Sequence, residues 1–120
     1  TDDIEVWGMF SGQYATAYTG IEPERDRFYH IIGVYDYDKS ELRVYVDGQA
    51  AGSVSVTGLM DYPQGNAQYF CIGGDASYNA DIAEFQLEGE VALVRMYSHA
   101  LNLGEAKKLY NDLQEISAAE

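Results

Sequence analysis

Residues 28–48 read FYHIIGVYDYDKSELRVYVDG, and the reading of this stretch decides the fold. Its first part, FYHIIGVYD, is apolar on both parities, which predicts a central strand covered on both faces. An acidic loop follows. Leu42, Val44 and Val46 then share one side of an alternating run, the period of two that marks a strand with a buried face. Asp47-Gly48 supplies the positive φ angles of a tight turn, and QAAGSVSV is its return strand. A hairpin this regular predicts an antiparallel sheet.

On the N-terminal side, DIEVWGMF alternates Ile4 and Val6 against Glu5 and Trp7. GQYATAYTG alternates Tyr14, Thr16 and Tyr18 against small residues, so both segments read as strands. IEPERDR is a polar, Pro-containing connector. On the C-terminal side, GLMDYPQGN reads as loop, AQYFCIGG as strand, DASYNADIAE as a long polar loop and LEGEVALVRMY as the last strand. Then the period changes. Leu103, Ala106, Leu109, Tyr110, Leu113 and Ile116 fall on one helical stripe, with Asn102 as N-cap and Glu105 placed to reach back to it. Residues 1–97 are therefore expected to hold strands and residues 102–116 a helix, within one domain spanning 1–120. The predicted class is all-β: an antiparallel β-sandwich with one short C-terminal α-helix.

Composition limits the partners. Twenty acidic against seven basic residues give a formal charge of -13, a field that repels a phosphate backbone and anionic lipid surfaces. Nucleic acid is excluded on this ground, and no run is long and apolar enough for membrane insertion. The same field suits cations such as calcium. Cys71 is the single cysteine, so no intrachain disulfide forms, and its apolar setting predicts a buried, inert thiol. The chain opens on Thr1 rather than Met, which predicts a processed or excised piece of a longer protein.

The blocks FYHIIGVYD, LRVYVDGQ, YFCIGGD and LEGEVALVRMYSHALNLGEAKKLY, in this order and spacing, resemble the laminin G-like, concanavalin A-like lectin/glucanase superfamily. His30, Tyr35 and Asp36 fit the family's first block, with Phe28 where Trp is common. Tyr45 to Gly48, Gly73 to Asp75, Arg95, Tyr97, Ala100, Leu101, Glu105 and Tyr110 fit the later ones. The resemblance implies a jelly roll of two curved antiparallel sheets. Whole members carry further strands before the position of Ile4, so the resemblance implies the C-terminal portion of such a sandwich, whose sheet edges are expected to pair with a separate fragment or with a second copy, unless the chain is a minimal variant of the fold. DYPQGNAQYFCIGGD and VRMYSHAL are also similar to modules appended to bacterial calcineurin-like metallophosphoesterases.

Several constellations carry chemistry. Glu88 and Glu90, with Glu84 nearby, are the nearest approach to the paired carboxylates of a sandwich glucanase, but the alternating acidic signature is missing and Gly89 suits a bend better than a catalytic platform. Asp36, Asp38 and Ser40 echo the opening of a calcium loop. Glu41 stands where an EF-hand needs Gly, so that motif is rejected. Asp75, Asn79, Asp81 and Glu84 cluster hard oxygen ligands in one loop and form the candidate calcium site. His30 and His99 lack zinc-ligand spacing, and His30 is expected to make a structural hydrogen bond.

Eleven tyrosines and one tryptophan are the most unusual feature of the composition. Aromatic faces stack on the apolar faces of sugars, and phenol hydroxyls meet ring hydroxyls. Trp7 and Tyr14 on strands, with Tyr62 and Tyr78 in loops, are the candidate ligand-binding residues. These readings predict a non-catalytic, secreted or cell-surface bacterial module that binds carbohydrate or another surface polymer beside an attached enzyme and requires no cofactor, calcium aside. The alternatives are a structural domain packed on a parent metallophosphoesterase and a glucanase remnant.

Overall fold

The computed structural model describes residues 3–61, 72 and 87–119. The chain divides into two compact units, one of residues 1–61 with 97–120, the other of residues 62–96. In the first unit the described elements are β1 (Glu5–Phe10), β2 (Gln13–Tyr18), β3 (Ile31–Asp36), β4 (Glu41–Val46), β5 (Gln49–Ser55) and α1 (Leu103–Ala119). β1 and β2 form a two-stranded antiparallel sheet, and β3–β4–β5 form a three-stranded one with β4 in the middle. Two antiparallel sheets with one C-terminal helix are the architecture that the alternating runs predict.

Both two-residue hairpin loops use the same chemistry. Ser11 and Gly12 have φ of 48° and 79°, and Asp47 and Gly48 have 51° and 75°. Positive φ at both central positions twists the chain in the sense that the flanking strands require. Each turn then fixes a register. Pairing Phe10 with Gln13 sets Val6 against Ala17 and Trp7 against Thr16, and pairing Val46 with Gln49 sets Val44 close to Gly52. A register shift between Val44 and Tyr45 leaves Ala51 as an extra residue in β5.

Because strand side chains alternate, each register sorts its residues to opposite faces. Leu42, Val44 and Val46 of β4 pack with Phe10, Ala17 and Val56 in the main core, and Val6, Ala15 and Ile21 close its margin. Tyr45, from the other face of β4, joins Val34, Leu101 and Ala106 in a second cluster, with Ile32 and Leu109 against it. The β1–β2 hairpin thus covers one face of the larger sheet and α1 the other. Asn102 caps α1: its side-chain oxygen accepts from the Glu105 N–H at 2.9 Å, and its own N–H donates to the Glu105 carboxylate at 3.1 Å. Ala106 is fully buried and Leu109, Tyr110 and Leu113 half-buried, as the helical stripe requires, while Leu103 is exposed.

β3 packs on both faces as expected, with Val34 in the second cluster and Tyr35 against the main core. Two other expectations are corrected. The first concerns β4, which among the described residues is the strand paired on both sides. Its sequence ELRVYV reads as one-faced because Arg43 looks like a solvent residue, yet Arg43 is buried with its charge and donors satisfied. The second correction concerns LEGEVALVRMY, residues 87–97, which form no strand. Apolar alternation becomes a strand only when a ladder partner takes up the backbone groups, and no described strand pairs with it. Its Leu87, Val91, Leu93, Val94 and Met96, in the second unit, are exposed. The expected strand AQYFCIGG, with Cys71 in it, lies outside the described residues except for Ile72.

Candidate functional site

The register of the first hairpin builds an aromatic platform. Val6, Ala15 and Ala17 turn inward, so Glu5, Trp7 and Met9 of β1 and Tyr14, Thr16 and Tyr18 of β2 share the outer face. Trp7 is 59% exposed, Tyr14 70% and Tyr18 58%. Rings of this size normally hide in a core, so three of them on one small sheet form a surface suited to a ligand. Trp7 and Tyr14 lie diagonally across the ladder, with ring centroids 5.5 Å apart and planes inclined by 60°. That contact restrains both rings while leaving them accessible.

Carboxylates hold the hairpin at both ends. Asp61 accepts from the N–H of Ser11 at 3.0 Å and of Gly12 at 2.8 Å, satisfying both amides of the turn. Asp3 accepts from the N–H of Thr19 at 3.1 Å and of Gly20 at 2.7 Å at the open end. Met60 bridges to Phe10, and the Asp61 N–H donates to the Met9 carbonyl at 2.8 Å. The backbone beneath the rings is therefore fixed at the turn, at the open end and along its outer edge.

On the α1 side of the larger sheet a buried polar network lies beside the second cluster. Arg43 donates through Nη1 to Asp36 at 2.7 Å, through Nε to the Tyr45 hydroxyl at 2.7 Å and through Nη2 to the Leu101 carbonyl at 2.6 Å. The hydrogen bond from Arg43 holds the Asp36 carboxyl below the usual carboxylate range, against its partial burial, with help from the Lys39 N–H. Burial opposes the Arg43 charge, but Asp36 and Tyr45 together keep the guanidinium above its ordinary value. An open groove of about 530 Å³ borders this network between β4, β5 and the start of α1, lined by Lys39, Glu41, Arg43, Ser53 and Asn102 among others. Its Arg43 and Asn102 are committed to internal partners, so the groove is a seam of the fold. Nearby, the N–H of Asn102, and after it His99 at 3.1 Å, hold the Glu105 carboxyl below the usual range.

Of the residues singled out in the sequence, Trp7 and Tyr14 come together on one surface. Tyr62 and Tyr78 lie outside the described residues, as do Asp75, Asn79, Asp81 and Glu84. Among the described residues no group of three or more His, Cys, Asp or Glu side chains is placed to hold a metal ion. Asp36 is bound to Arg43 and to the Lys39 N–H at 3.1 Å, which accounts for it without calcium. Glu88 and Glu90 are exposed in a segment without regular structure, so no strand aligns their carboxylates. The His30 N–H donates to the Asp47 carboxylate and the Asp47 N–H to the His30 carbonyl, both at 2.9 Å, and the His30 ring lies 6.1 Å from that of Tyr110.

Tyr18 is the platform residue that sequence reasoning missed. The signal was present: once Ser11-Gly12 is read as a two-residue turn, counting back from it puts Tyr18 opposite Glu5, on the face of Trp7. The Arg43 network carried no comparable signal, because its acceptor on Leu101 is 58 residues away.

Comparison with known proteins bears on the fold. The family model described as Concanavalin A-like lectin/glucanases superfamily matches residues 3–107. Among solved structures, residues 221–444 of an S-layer domain-containing protein from Clostridium thermocellum are similar, with a TM-score of 0.50 and 18% identity over 90% of this chain and 51% of that one. The chain thus spans about half the length of that structure, and at this identity the likeness concerns architecture alone. No curated protein matches the chain. No helix among the described residues is long and apolar enough to cross a membrane. The match extends from the first hairpin into α1, through both sheets and the Asp-Gly turn that joins β4 to β5, and on that evidence the chain belongs to the Concanavalin A-like lectin/glucanases superfamily.

Proposed function

We propose that the chain is a non-catalytic, extracellular bacterial module that binds carbohydrate through the outer face of its first hairpin. The observation that carries this reading is the exposed Trp7–Tyr14 pair, held at a fixed inclination on a backbone anchored at both ends. An aromatic ring offers a sugar an apolar face, and a phenol beside it offers a hydrogen-bond partner. The S-layer domain of the structural neighbour belongs to that protein, but it makes the cell surface the first compartment in which to seek this one. Tyr62 and Tyr78 extend the proposed ligand contacts, and a calcium ion at Asp75, Asn79, Asp81 and Glu84 is the proposed cofactor. The test is a glycan array and polysaccharide pull-down, with and without calcium. Wild-type binding that Trp7→Ala and Tyr14→Ala abolish supports the reading, and absence of binding under every condition removes it.

A second reading draws on residues 87–96. The exposed Leu87, Val91, Leu93, Val94 and Met96 favour a structural role in which this segment packs on another domain of the parent protein. The similarity to modules of bacterial metallophosphoesterases makes such an enzyme the proposed parent. Cross-linking within the full-length protein distinguishes this from glycan binding: cross-links from residues 87–96 to a catalytic domain favour packing.

A further inference from the structure

Building on the carbohydrate reading, we infer that the hairpin face selects a single glycan chain bearing protonated amino sugars, in preference to neutral or anionic glycans and to crystalline polysaccharide surfaces. The first argument is geometric. Two rings inclined by 60° with centroids 5.5 Å apart cannot both lie flat against one plane. One ring at a time can therefore lie flat against a ligand, which suits one sugar of a free chain better than the flat face of a crystalline polymer.

The second argument is electrostatic. β1 reads EVWGMF and β2 reads QYATAY, so neither strand contributes a Lys, Arg or His. The charged group that the two strands contribute is Glu5, on the face of Trp7 and directly opposite Tyr18. Arg27, Arg43 and Lys108 are each paired with an aspartate elsewhere, and the chain as a whole carries a formal charge of -13. Uronates, sulfates and phosphates are repelled by such a face. An ammonium group is attracted twice, by the π-faces of Trp7 and Tyr14 and by the Glu5 carboxylate. Acetylation of the amine removes both attractions together.

The test is calorimetric titration of the 120-residue chain with soluble β-1,4-linked oligomers of equal length made of glucosamine, N-acetylglucosamine or glucose, at low and high salt. The glucosamine oligomer is expected to bind about tenfold tighter than its N-acetylated counterpart, with a preference that shrinks as salt screens the charges. Glu5→Gln is expected to lose most of that preference, and Trp7→Ala to lose binding, with circular dichroism checking that both variants fold. Equal or tighter binding of the neutral oligomers, or an unchanged preference in Glu5→Gln, overturns this inference and leaves the carbohydrate reading standing. Retained binding by Trp7→Ala shows attraction by overall charge and overturns the site. Retention on crystalline cellulose or chitin with no soluble binding overturns the single-chain proposal, and failure to bind any oligomer or polymer overturns both.

Discussion

Arg43, at the centre of the larger sheet, donates to the carbonyl of Leu101, 58 residues further along the chain and 2.6 Å away. The planar guanidinium reaches that carbonyl, the Tyr45 hydroxyl and the Asp36 carboxylate at once. It thereby joins the middle strand, the end of β3 and the entry to α1. A lysine in its place has one nitrogen to offer and cannot span these partners. Arg43→Ala leaves the Asp36 carboxylate with the Lys39 N–H but no counter-charge and the Leu101 carbonyl with the long 3.4 Å bond from Tyr45, and is expected to cost about 3 kcal/mol in urea melts. Arg43→Lys is expected to recover little of that loss; full recovery contradicts the fork-like role.

Acid should weaken this network. The folded-state pKa of Asp36 is depressed by Arg43, so as pH falls the unfolded chain takes up the proton first. The resulting stabilisation is fully present above the ordinary aspartate value of about 3.9 and fades as pH drops through the lower folded value. Glu105, depressed by the Asn102 N–H and by His99, acts in the same direction. Denaturant melts from neutral pH downward should show stability falling across that acid range, and Asp36→Asn should flatten the fall while lowering stability at neutral pH. An acid limb unaltered by Asp36→Asn denies the linkage.

The aromatic face should separate binding from folding. Trp7 and Tyr14 point away from the core, so replacing either with Ala is expected to shift stability by no more than about 0.5 kcal/mol. The same substitutions are expected to weaken glycan binding about tenfold or more, which corresponds to about 1.4 kcal/mol. Loss of cooperative melting in either variant would mean that the rings hold the hairpin together.

At Gly52 the larger sheet lies close against the backbone of β2. A Cβ on this residue would collide with the backbone carbonyl of Tyr18, which cannot swing aside as a side chain can. Gly52→Ala is therefore expected to push β5 from β2 at a cost of about 1–3 kcal/mol, whereas Ala at the nearby exposed Ser53 should be close to neutral. Equal melting temperatures for the two variants contradict the tight packing.

What could be read from the chain beforehand followed the range of the interactions involved. Hairpins, turns and the capping box are local: Asp47-Gly48, Asn102 and Glu105 announce themselves within a few residues, and the structure uses all three as expected. Trp7 and Tyr14 were legible as strand residues, and it is the register set by the Ser11-Gly12 turn that brings them onto one exposed face. The role of Arg43 was not legible, because in isolation a charge in an alternating strand looks solvated, and its burial depends on a carbonyl beyond the reach of any local pattern. The strand expected at residues 87–97 failed for a related reason, since alternation shows that a segment could pair without showing that a partner is there.

The two sides of the first hairpin carry separate duties. Val6, Ala15 and Ala17 are bound to their neighbours in the interior, and little can replace them. Trp7, Thr16 and Tyr18 touch the core through nothing but the shared backbone, which Asp3 and Asp61 keep in shape from either end. Under the proposed glycan-binding role, specificity can therefore drift, or be engineered, across one surface of a single ribbon while the architecture behind it stays as it is.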